Sequence, residues 1–193
     1  MSYFPMMIEL QDRPVLVIGA GEEGTKKVEV LSKFGCKITL VAKEANADAI
    51  KLSYEFINRE FRDSDINDSY AMVVAATENE GLNRRISEIA KSNKIPVNIV
   101  DNVELCTFIF PAIIKENDVV ISVSSGGKSP YVAQHIKAII REHLPNGIGV
   151  VNDKMGELRE GLKRTVSDRT VRNKRLKEKL NELLGVSNKH TEL

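Results

Sequence analysis

Three glycines near the start of the chain have a spacing that suits the binding of a dinucleotide. Gly19, Gly21 and Gly24 follow the apolar run VLVI and precede a helix-like stretch. In that context the first glycine permits a tight turn, the second lets a pyrophosphate approach the backbone, and the third lets helix and strand pack closely. The anion would lie at the N-terminus of the helix. A tight turn without a ligand is the alternative explanation.

Two more groups of residues are candidates for cofactor contacts. Lys43 and Glu44 follow the next apolar run, roughly 20 residues after the turn, where an acidic residue commonly binds the ribose hydroxyls. Lys43 could equally meet a 2′-phosphate, so these residues alone leave NAD and NADP open. Ala75, Ala76 and Thr77 are small residues at a point where a bulky side chain would crowd the adenosine half of the cofactor, although tight packing would also explain them.

Asp101 is the first candidate for catalysis. It ends the apolar run PVNIVD, which places a carboxylate outside the carboxyl end of a predicted parallel strand, where such sheets bind their ligands. A hydride that leaves a substrate carbon is generally accompanied by a proton, and a fixed carboxylate can accept that proton or stabilise developing positive charge. The alternative is that Asp101 caps the turn that follows.

The loop SSGGKSP (124–130) is a candidate site for an anionic group. Its glycines free the backbone, its lysine supplies a positive charge, and Ser129 followed by Pro130 is a favourable helix start. An ordinary helix start with a solvated lysine is the alternative. The candidate substrate-binding residues are Ser124, Ser125, Gly126, Gly127, Lys128 and Ser129.

Strands that alternate with helices must position these residues. β-branched runs alternating with helix-like stretches predict a parallel sheet covered on both faces, and the first hundred residues therefore predict a Rossmann unit. The predicted strands are 15–19, 37–42, 54–61, 71–77 and 96–101, and the predicted helices are 24–34 and 80–92. After Asp101, FIFPAII and DVVISVSS predict two extended segments, followed by an amphipathic helix at 130–144 and a helical tail beyond the break at 145–147.

Composition limits the classes of partner. The chain has 193 residues, is 42% hydrophobic and carries a net charge of +1, which gives no general attraction to nucleic acid or membrane. We therefore expect neither as a partner, and the absence of a basic and apolar leader predicts a cytoplasmic protein. Cys36 and Cys106 show no metal-binding spacing, so we predict structural thiols and no metal site.

Charge is concentrated in the tail. Residues 151–193 carry eleven lysines and arginines against seven acidic side chains, an excess of four. A solvated helix face is the simplest explanation.

Four segments together resemble the precorrin-2 dehydrogenase family, which includes the dehydrogenase and ferrochelatase part of siroheme synthases. They are FPMMIELQDRPVLVIGAG, VVAATEN, NIVDNVELCTFIFPAII and SVSSGGKSP, in family order and at family spacing. The resemblance implies NAD-dependent oxidation of precorrin-2 to sirohydrochlorin, with Asp101 as the key acidic residue. It assigns cofactor contacts to the glycine turn, Ala20, Glu22 and Glu23 included, and to Lys43 and Glu44.

The resemblance also implies an architecture and partners. Residues 1–113 would form the NAD-binding Rossmann domain, 114–145 a region of homodimerisation, and 146–193 a helical domain that covers a tetrapyrrole cleft. Precorrin-2 and sirohydrochlorin carry many carboxylates, which gives the basic tail a purpose. Some relatives also insert ferrous iron into sirohydrochlorin, and the sequence leaves this open. The lysine in SSGGKSP departs from the smaller polar residue expected in many relatives and puts chelation geometry in doubt.

The sequence is also compatible with two rival functions. An NAD(H)-sensing module would use the same Rossmann unit, with the basic tail contacting a partner protein or nucleic acid. Such a sensor needs neither a carboxylate at the strand end nor a loop suited to an anionic macrocycle. A dehydrogenase of another small substrate would need a lysine–aspartate or histidine constellation, and the three scattered histidines do not supply one.

Overall fold

A computed structural model describes residues 3–185, which form two compact units that meet between Phe110 and Pro111. The first unit contains five strands, three helices and two short 3₁₀ turns. In chain order these are β1 Pro14–Ile18, α1 Glu22–Ser32, β2 Lys37–Ala42, α2 Ala47–Leu52, β3 Glu55–Asn58, a 3₁₀ turn Asp63–Asp65, β4 Met72–Ala75, α3 Glu80–Ser92, β5 Val97–Ile99 and a 3₁₀ turn Val103–Leu105.

The five strands form one parallel sheet in the order β3-β2-β1-β4-β5. Successive side chains of a strand point to opposite faces, so the continuously apolar β1 contributes to two cores. Val15 and Val17 pack with Val28 and Leu31 of α1 on one face. Leu16 and Ile18 pack with Ile86 and Ala90 of α3 on the other. Helices therefore cover both faces, and the predicted Rossmann-type fold is confirmed.

The first helix begins two residues earlier than predicted. It starts at Glu22, directly after Gly21, and Gly24 lies inside its first turn. The prediction began the helix at Gly24 itself. The missing side chain of Gly24 allows the first helical turn to lie against the preceding loop. The helix ends at Ser32, and three residues later Gly35 adopts the left-handed conformation with a φ of 67°.

The second unit contains a β-hairpin and three helices. Strands β6 Ala112–Glu116 and β7 Val119–Val123 pair antiparallel, with Ile114 opposite Ile121. Helix α4, Pro130–His143, packs on both strands. Helices α5, Ile148–Thr165, and α6, Arg169–Leu184, pack against each other as a helical hairpin. The predicted tail extends beyond Gly185 and is outside the described residues from there on.

The extended segment predicted at FIFPAII is only partly a strand. Pro111 has no N–H group to donate to a ladder, and pairing begins at Ala112. Phe108 and Phe110 instead pack against the core on the α1 side of the parallel sheet, with their ring centroids 5.4 Å apart. The change from one unit to the other falls between Phe110 and Pro111. Among residues 3–185, no helix is long and apolar enough to span a bilayer.

Candidate functional site

The three glycines after β1 have three different surroundings. Gly19 has a φ of 92°, and a Cβ added there would lie 2.4 Å from the carbonyl oxygen of Ala76. A Cβ on Gly24 would lie 2.1 Å from the carbonyl oxygen of Gly19, which is far inside contact distance. A Cβ on Gly21 would meet nothing within 4 Å. Two glycines are therefore required by the fold, while Gly21 leaves open space where a pyrophosphate could approach.

The start of α1 faces this space with unused hydrogen-bond donors. Gly21 is the N-cap and provides no side-chain cap, so no side chain satisfies the N–H groups of the first turn. Such a terminus attracts an anion. Glu22 and Glu23 are acidic, but Lys26 binds both carboxylates at 2.7 and 2.8 Å. The hydrogen bonds that Lys26 donates to the two carboxylates raise the pKa of Lys26, which remains charged and offsets their repulsion of a phosphate.

The loop after β4 lies beside the glycine turn because β4 is the neighbour of β1. Ile18 is in register with Ala75, and the Ala76 N–H donates to the Ile18 carbonyl at 2.8 Å. The Thr77 hydroxyl donates to Asn83 Oδ1 at 2.7 Å, and Asn83 Nδ2 donates to the Thr77 carbonyl at 2.8 Å. Asn83, on the buried face of α3, therefore fixes this loop. Asn83 was not predicted from the sequence, although a polar residue at a core position of a helix is a usable signal.

Lys43 and Glu44 are exposed just beyond β2. Lys43 Nζ lies 2.6 Å from Glu60 Oε1, and this bond raises the pKa of Lys43 and lowers that of Glu60. Asn46 Nδ2 donates to Thr25 Oγ1 at 3.1 Å, which ties the loop after β2 to the first helix. The glycine turn and this loop are therefore held side by side.

Asp101 lies two residues beyond β5 in a left-handed conformation, with a φ of 59°. Its side chain is exposed and has no hydrogen-bond partner among residues 3–185. The capping role considered for it is performed by Asn102, whose side chain accepts from the Leu105 N–H. Strands β1, β4 and β5 are consecutive in the sheet, so the strands that precede the glycine turn and Asp101 are two strand spacings, roughly 10 Å, apart.

Cys106 holds the turn that carries Asp101. Its sulfur accepts from the Ile99 N–H at 3.1 Å and donates to the Asn102 carbonyl at 3.2 Å, so it binds backbone on both sides of the aspartate. Burial raises the pKa of the Cys106 thiol, which keeps it neutral. These contacts give Cys106 a structural role.

Lys27 is a second residue that the sequence analysis missed. Its ammonium lies 4.7 Å from the centroid of the Phe110 ring. Burial lowers the pKa of Lys27, and the negative charges of Glu23 and Asp101 oppose that shift. Position 27 is three residues after Gly24 and four before Leu31, both buried, so helical spacing places the lysine at the edge of the packed face.

The loop 124–129 belongs to the second unit. Gly126 and Gly127 have φ values of 66° and 80°, in the left-handed region that glycine adopts most readily. Ser124 Oγ accepts from the Gly126 N–H and Ser125 Oγ from the Ser129 N–H. Each hydroxyl retains its own proton for donation. Ser129 caps α4, as predicted, by accepting from the Val132 N–H.

The first unit thus brings together the glycine turn, the loop after β4, the Lys43 region and Asp101 at the carboxyl ends of the parallel strands. The loop 124–129 is part of the other unit. Within the described part of the chain, no group of three histidine, cysteine, aspartate or glutamate residues could hold a metal ion.

Comparison with known proteins identifies the first unit. A family described as "Putative NAD(P)-binding" matches residues 6–112, which is more than half of the chain. The chain belongs to this NAD(P)-binding family. The match covers the glycine turn, both neighbouring loops and Asp101.

The chain is also similar to curated siroheme synthases. It is 35% identical over 172 residues to the siroheme synthase of Ruthia magnifica subsp. Calyptogena magnifica, over 87% of this chain and 36% of that protein. The siroheme synthase of Neisseria meningitidis serogroup C (strain 053442) is 35% identical over 176 residues, covering 89% of this chain and 36% of the relative. The chain thus spans about a third of the length of these relatives.

A solved structure supports the same relationship at the level of fold. The structure described as "SirC, precorrin-2 dehydrogenase" superposes with a TM-score of 0.70 at 20% identity and covers 95% of this chain and 98% of that one. The resemblance stated from the sequence is therefore confirmed, as sequence similarity to siroheme synthases and as a fold shared with a precorrin-2 dehydrogenase.

Proposed function

We propose that this protein oxidises precorrin-2 to sirohydrochlorin with NAD, in the biosynthesis of siroheme. The proposal rests on the arrangement at the carboxyl ends of the parallel strands. There, one unit contains a glycine turn with open space, an uncapped helix start and the exposed carboxylate of Asp101. Similarity to siroheme synthases and the fold shared with a precorrin-2 dehydrogenase support the choice of substrate.

The residues around the turn fit a dinucleotide. The N–H groups of Glu22, Glu23 and Gly24 would bind the pyrophosphate, with Gly19, Ala20 and Gly21 providing its approach. Ala75, Ala76 and Thr77 would contact the adenosine half, and Glu44 the ribose hydroxyls. A bound nicotinamide ring supplies the acceptor for a hydride.

The ion pair between Lys43 and Glu60 favours NAD over NADP as the cofactor. Its ammonium is bound to Glu60, so a 2′-phosphate would have to displace a carboxylate from it. Glu44 next to it would repel that phosphate and would accept from ribose hydroxyls instead. We therefore propose NAD as the cofactor.

Asp101 is the proposed catalytic residue. Its carboxylate has no hydrogen-bond partner within the described chain, so it is free to accept the proton that the macrocycle releases as the hydride departs. Cys106 fixes the turn on both sides of it, which keeps the carboxylate oriented while its side chain remains open to solvent.

The second unit has the features expected of a tetrapyrrole-binding and dimerising region. The serine hydroxyls and N–H groups of 124–129, with Lys128, would bind substrate carboxylates. Helix α4 exposes Val132, Ile136 and Ile139 along one stripe, to between 40% and 51%, and we propose that a second copy of the chain covers it. In this assignment residues 1–113 bind NAD, 114–145 dimerise and 146–193 cover the substrate.

Two further points follow from the proposal. Ferrous iron, if it is inserted into sirohydrochlorin, would be a substrate and not a resident cofactor. The free thiols Cys36 and Cys106 are typical of a reducing compartment, and we propose that the enzyme acts in the cytoplasm.

The test is anaerobic incubation of the purified protein with precorrin-2 and either NAD or NADP, with sirohydrochlorin followed by absorbance. We expect faster oxidation with NAD at equal concentration. Ferrous iron added to the same cuvette then tests for chelation. If neither cofactor supports oxidation, the proposal is wrong, and the NAD(H)-sensing module becomes the better explanation.

A further inference from the structure

The hairpin of α5 and α6 contains a pocket of about 410 Å³ that lies wholly within the second unit, and four of its six lining residues are cationic. Pockets of this size suit small molecules and not a duplex nucleic acid. The lining residues are Arg159, Lys163, Arg169, Arg172, Asn173 and Leu176.

Helical spacing explains why these residues converge. Arg159 and Lys163 are four positions apart and lie on one face of α5. On α6, Arg172, Asn173 and Leu176 follow Arg169 at intervals of three, four and seven, which also define one face. Because the two helices pack against each other, the two faces border the same space.

The charge in the pocket is poorly compensated. Lys163 binds Glu160 at 2.6 Å, and Glu160, whose charge also attracts Arg159, is not part of the lining. Within the described chain, no carboxylate lies at ion-pair distance from Arg159, Arg169 or Arg172. Like charges at these spacings repel each other, so the chain holds an unfavourable cluster that a bound anion would relieve.

One member of the cluster is held in place by the backbone. Arg172 Nη1 donates to the carbonyls of Val166 and Ser167 at 2.7 and 2.6 Å, which fixes its guanidinium at the loop between the helices. The remaining guanidinium donors are available to an oxyanion, which such groups bind in a fork geometry. Asn173 adds a neutral donor and Leu176 an apolar contact.

We propose that the α5–α6 pocket binds a small multivalent oxyanion, a compound with at least two carboxylate or phosphate groups. The inference depends on the pocket alone and goes beyond the proposed function. A polycarboxylate and an oligophosphate share the chemistry that the cations recognise. Precorrin-2 is itself a polycarboxylate, and only if it is the occupant does this inference rest on the proposed function.

The experiment is calorimetric titration of the full chain with citrate and with inorganic tripolyphosphate at low ionic strength, without nicotinamide cofactor. We expect saturable binding of at least one probe. Tighter binding of citrate would identify a polycarboxylate site, and tighter binding of tripolyphosphate an oligophosphate site.

Matched variants decide where the probe binds, because the glycine turn could also accept a phosphate. The double variant Arg159→Gln/Lys163→Gln should weaken binding at least tenfold. The control Arg164→Gln/Lys174→Gln removes one arginine and one lysine from exposed positions of the same helices outside the pocket and should leave the affinity within twofold. Absence of saturable binding, or equal affinities in the two double variants, would overturn the proposal. Neither result depends on turnover of precorrin-2.

Discussion

The two units differ in the groups that are available for binding and catalysis. In the first unit the site consists largely of backbone: a glycine turn, the start of a helix and a strand-end loop, all supported by fully buried strands such as Val15–Ile18. In the second unit the chemistry depends on exposed side chains, and few apolar residues are buried. Within residues 111–185 the buried hydrophobic residues are Ala112, Ile114, Ala133 and Leu162. The site of the first unit is therefore supported by a well-buried core. The second unit exposes apolar and cationic surface that a ligand or another chain could cover.

The largest expected effect is that of replacing Asp101, the side chain of the first unit to which we assign the catalytic role. Asp101→Asn keeps the shape of the side chain and tolerates the left-handed backbone but removes the proton acceptor. We expect the turnover of precorrin-2 to fall by roughly 10²–10⁴, the range typical of a lost general base. NAD affinity and the thermal unfolding midpoint should stay unchanged. Turnover equal to that of the unmodified protein would remove Asp101 from the mechanism.

Two glycines three positions apart should respond in opposite ways. In Gly24→Ala the new Cβ would meet the Gly19 carbonyl oxygen, so we expect a loss of about 1–3 kcal/mol in the free energy of unfolding. Gly21→Ala places its Cβ in open space, so stability should be kept while NAD binding weakens about tenfold, or about 1.4 kcal/mol. Chemical denaturation and NAD titration of both variants provide the measurement. Equal effects on stability would contradict the roles assigned to the turn.

Substitutions in the apolar stripe of α4 test whether another copy of the chain covers this surface of the second unit. Ile136→Glu/Ile139→Glu would place two charges in the proposed interface, and we expect dimerisation to weaken by at least tenfold, about 1.4 kcal/mol. Light scattering coupled to size exclusion measures the change. Gln134→Glu/Glu142→Gln, at exposed positions outside the stripe, is the control. A chain that is monomeric before mutation would refute the proposed interface.

The smallest expected effect is a pH dependence confined to the first unit. Arg59 binds both carboxylate oxygens of Asp65, which lowers the pKa of Asp65. Because the pKa of Asp65 is lower in the folded state than in the unfolded state, the ion pair stabilises the folded protein at pH values above the unfolded pKa near 4. This stabilisation is lost as the pH falls through the pKa of the folded state. Asp65→Asn should therefore lower the unfolding midpoint by a few degrees at pH 7, and the difference should shrink below about pH 4. A difference independent of pH would exclude the ion pair as its cause.

The sequence predicted those parts of the fold whose signals are local. Strand β2 occupies Lys37–Ala42 and α3 occupies Glu80–Ser92, as predicted, because a β-branched run and an asparagine cap determine them within a few residues. The start of α1 was placed two residues late because Gly24 matters through its contact with Gly19, not through its helix propensity.

Contacts between distant segments explain what could not be predicted. Lys27 reaches Phe110, and Asn83 holds the loop at Thr77, only once the sheet has brought these segments together. The cationic pocket likewise depends on two helices folding back on each other, and from composition alone its residues resembled a solvated helix face. The roles of Asp101 and of the loop 124–129 remain predictions.

The most direct test of the account is the stoichiometry of the oxidation. Limiting precorrin-2 is incubated anaerobically with the full chain and excess NAD, and NADH and sirohydrochlorin are quantified together at completion. We predict one NADH for each sirohydrochlorin, because the hydride that leaves the macrocycle must be taken up by the NAD that the glycine turn binds. Sirohydrochlorin formed without NADH, or no conversion of precorrin-2 at all, would contradict it.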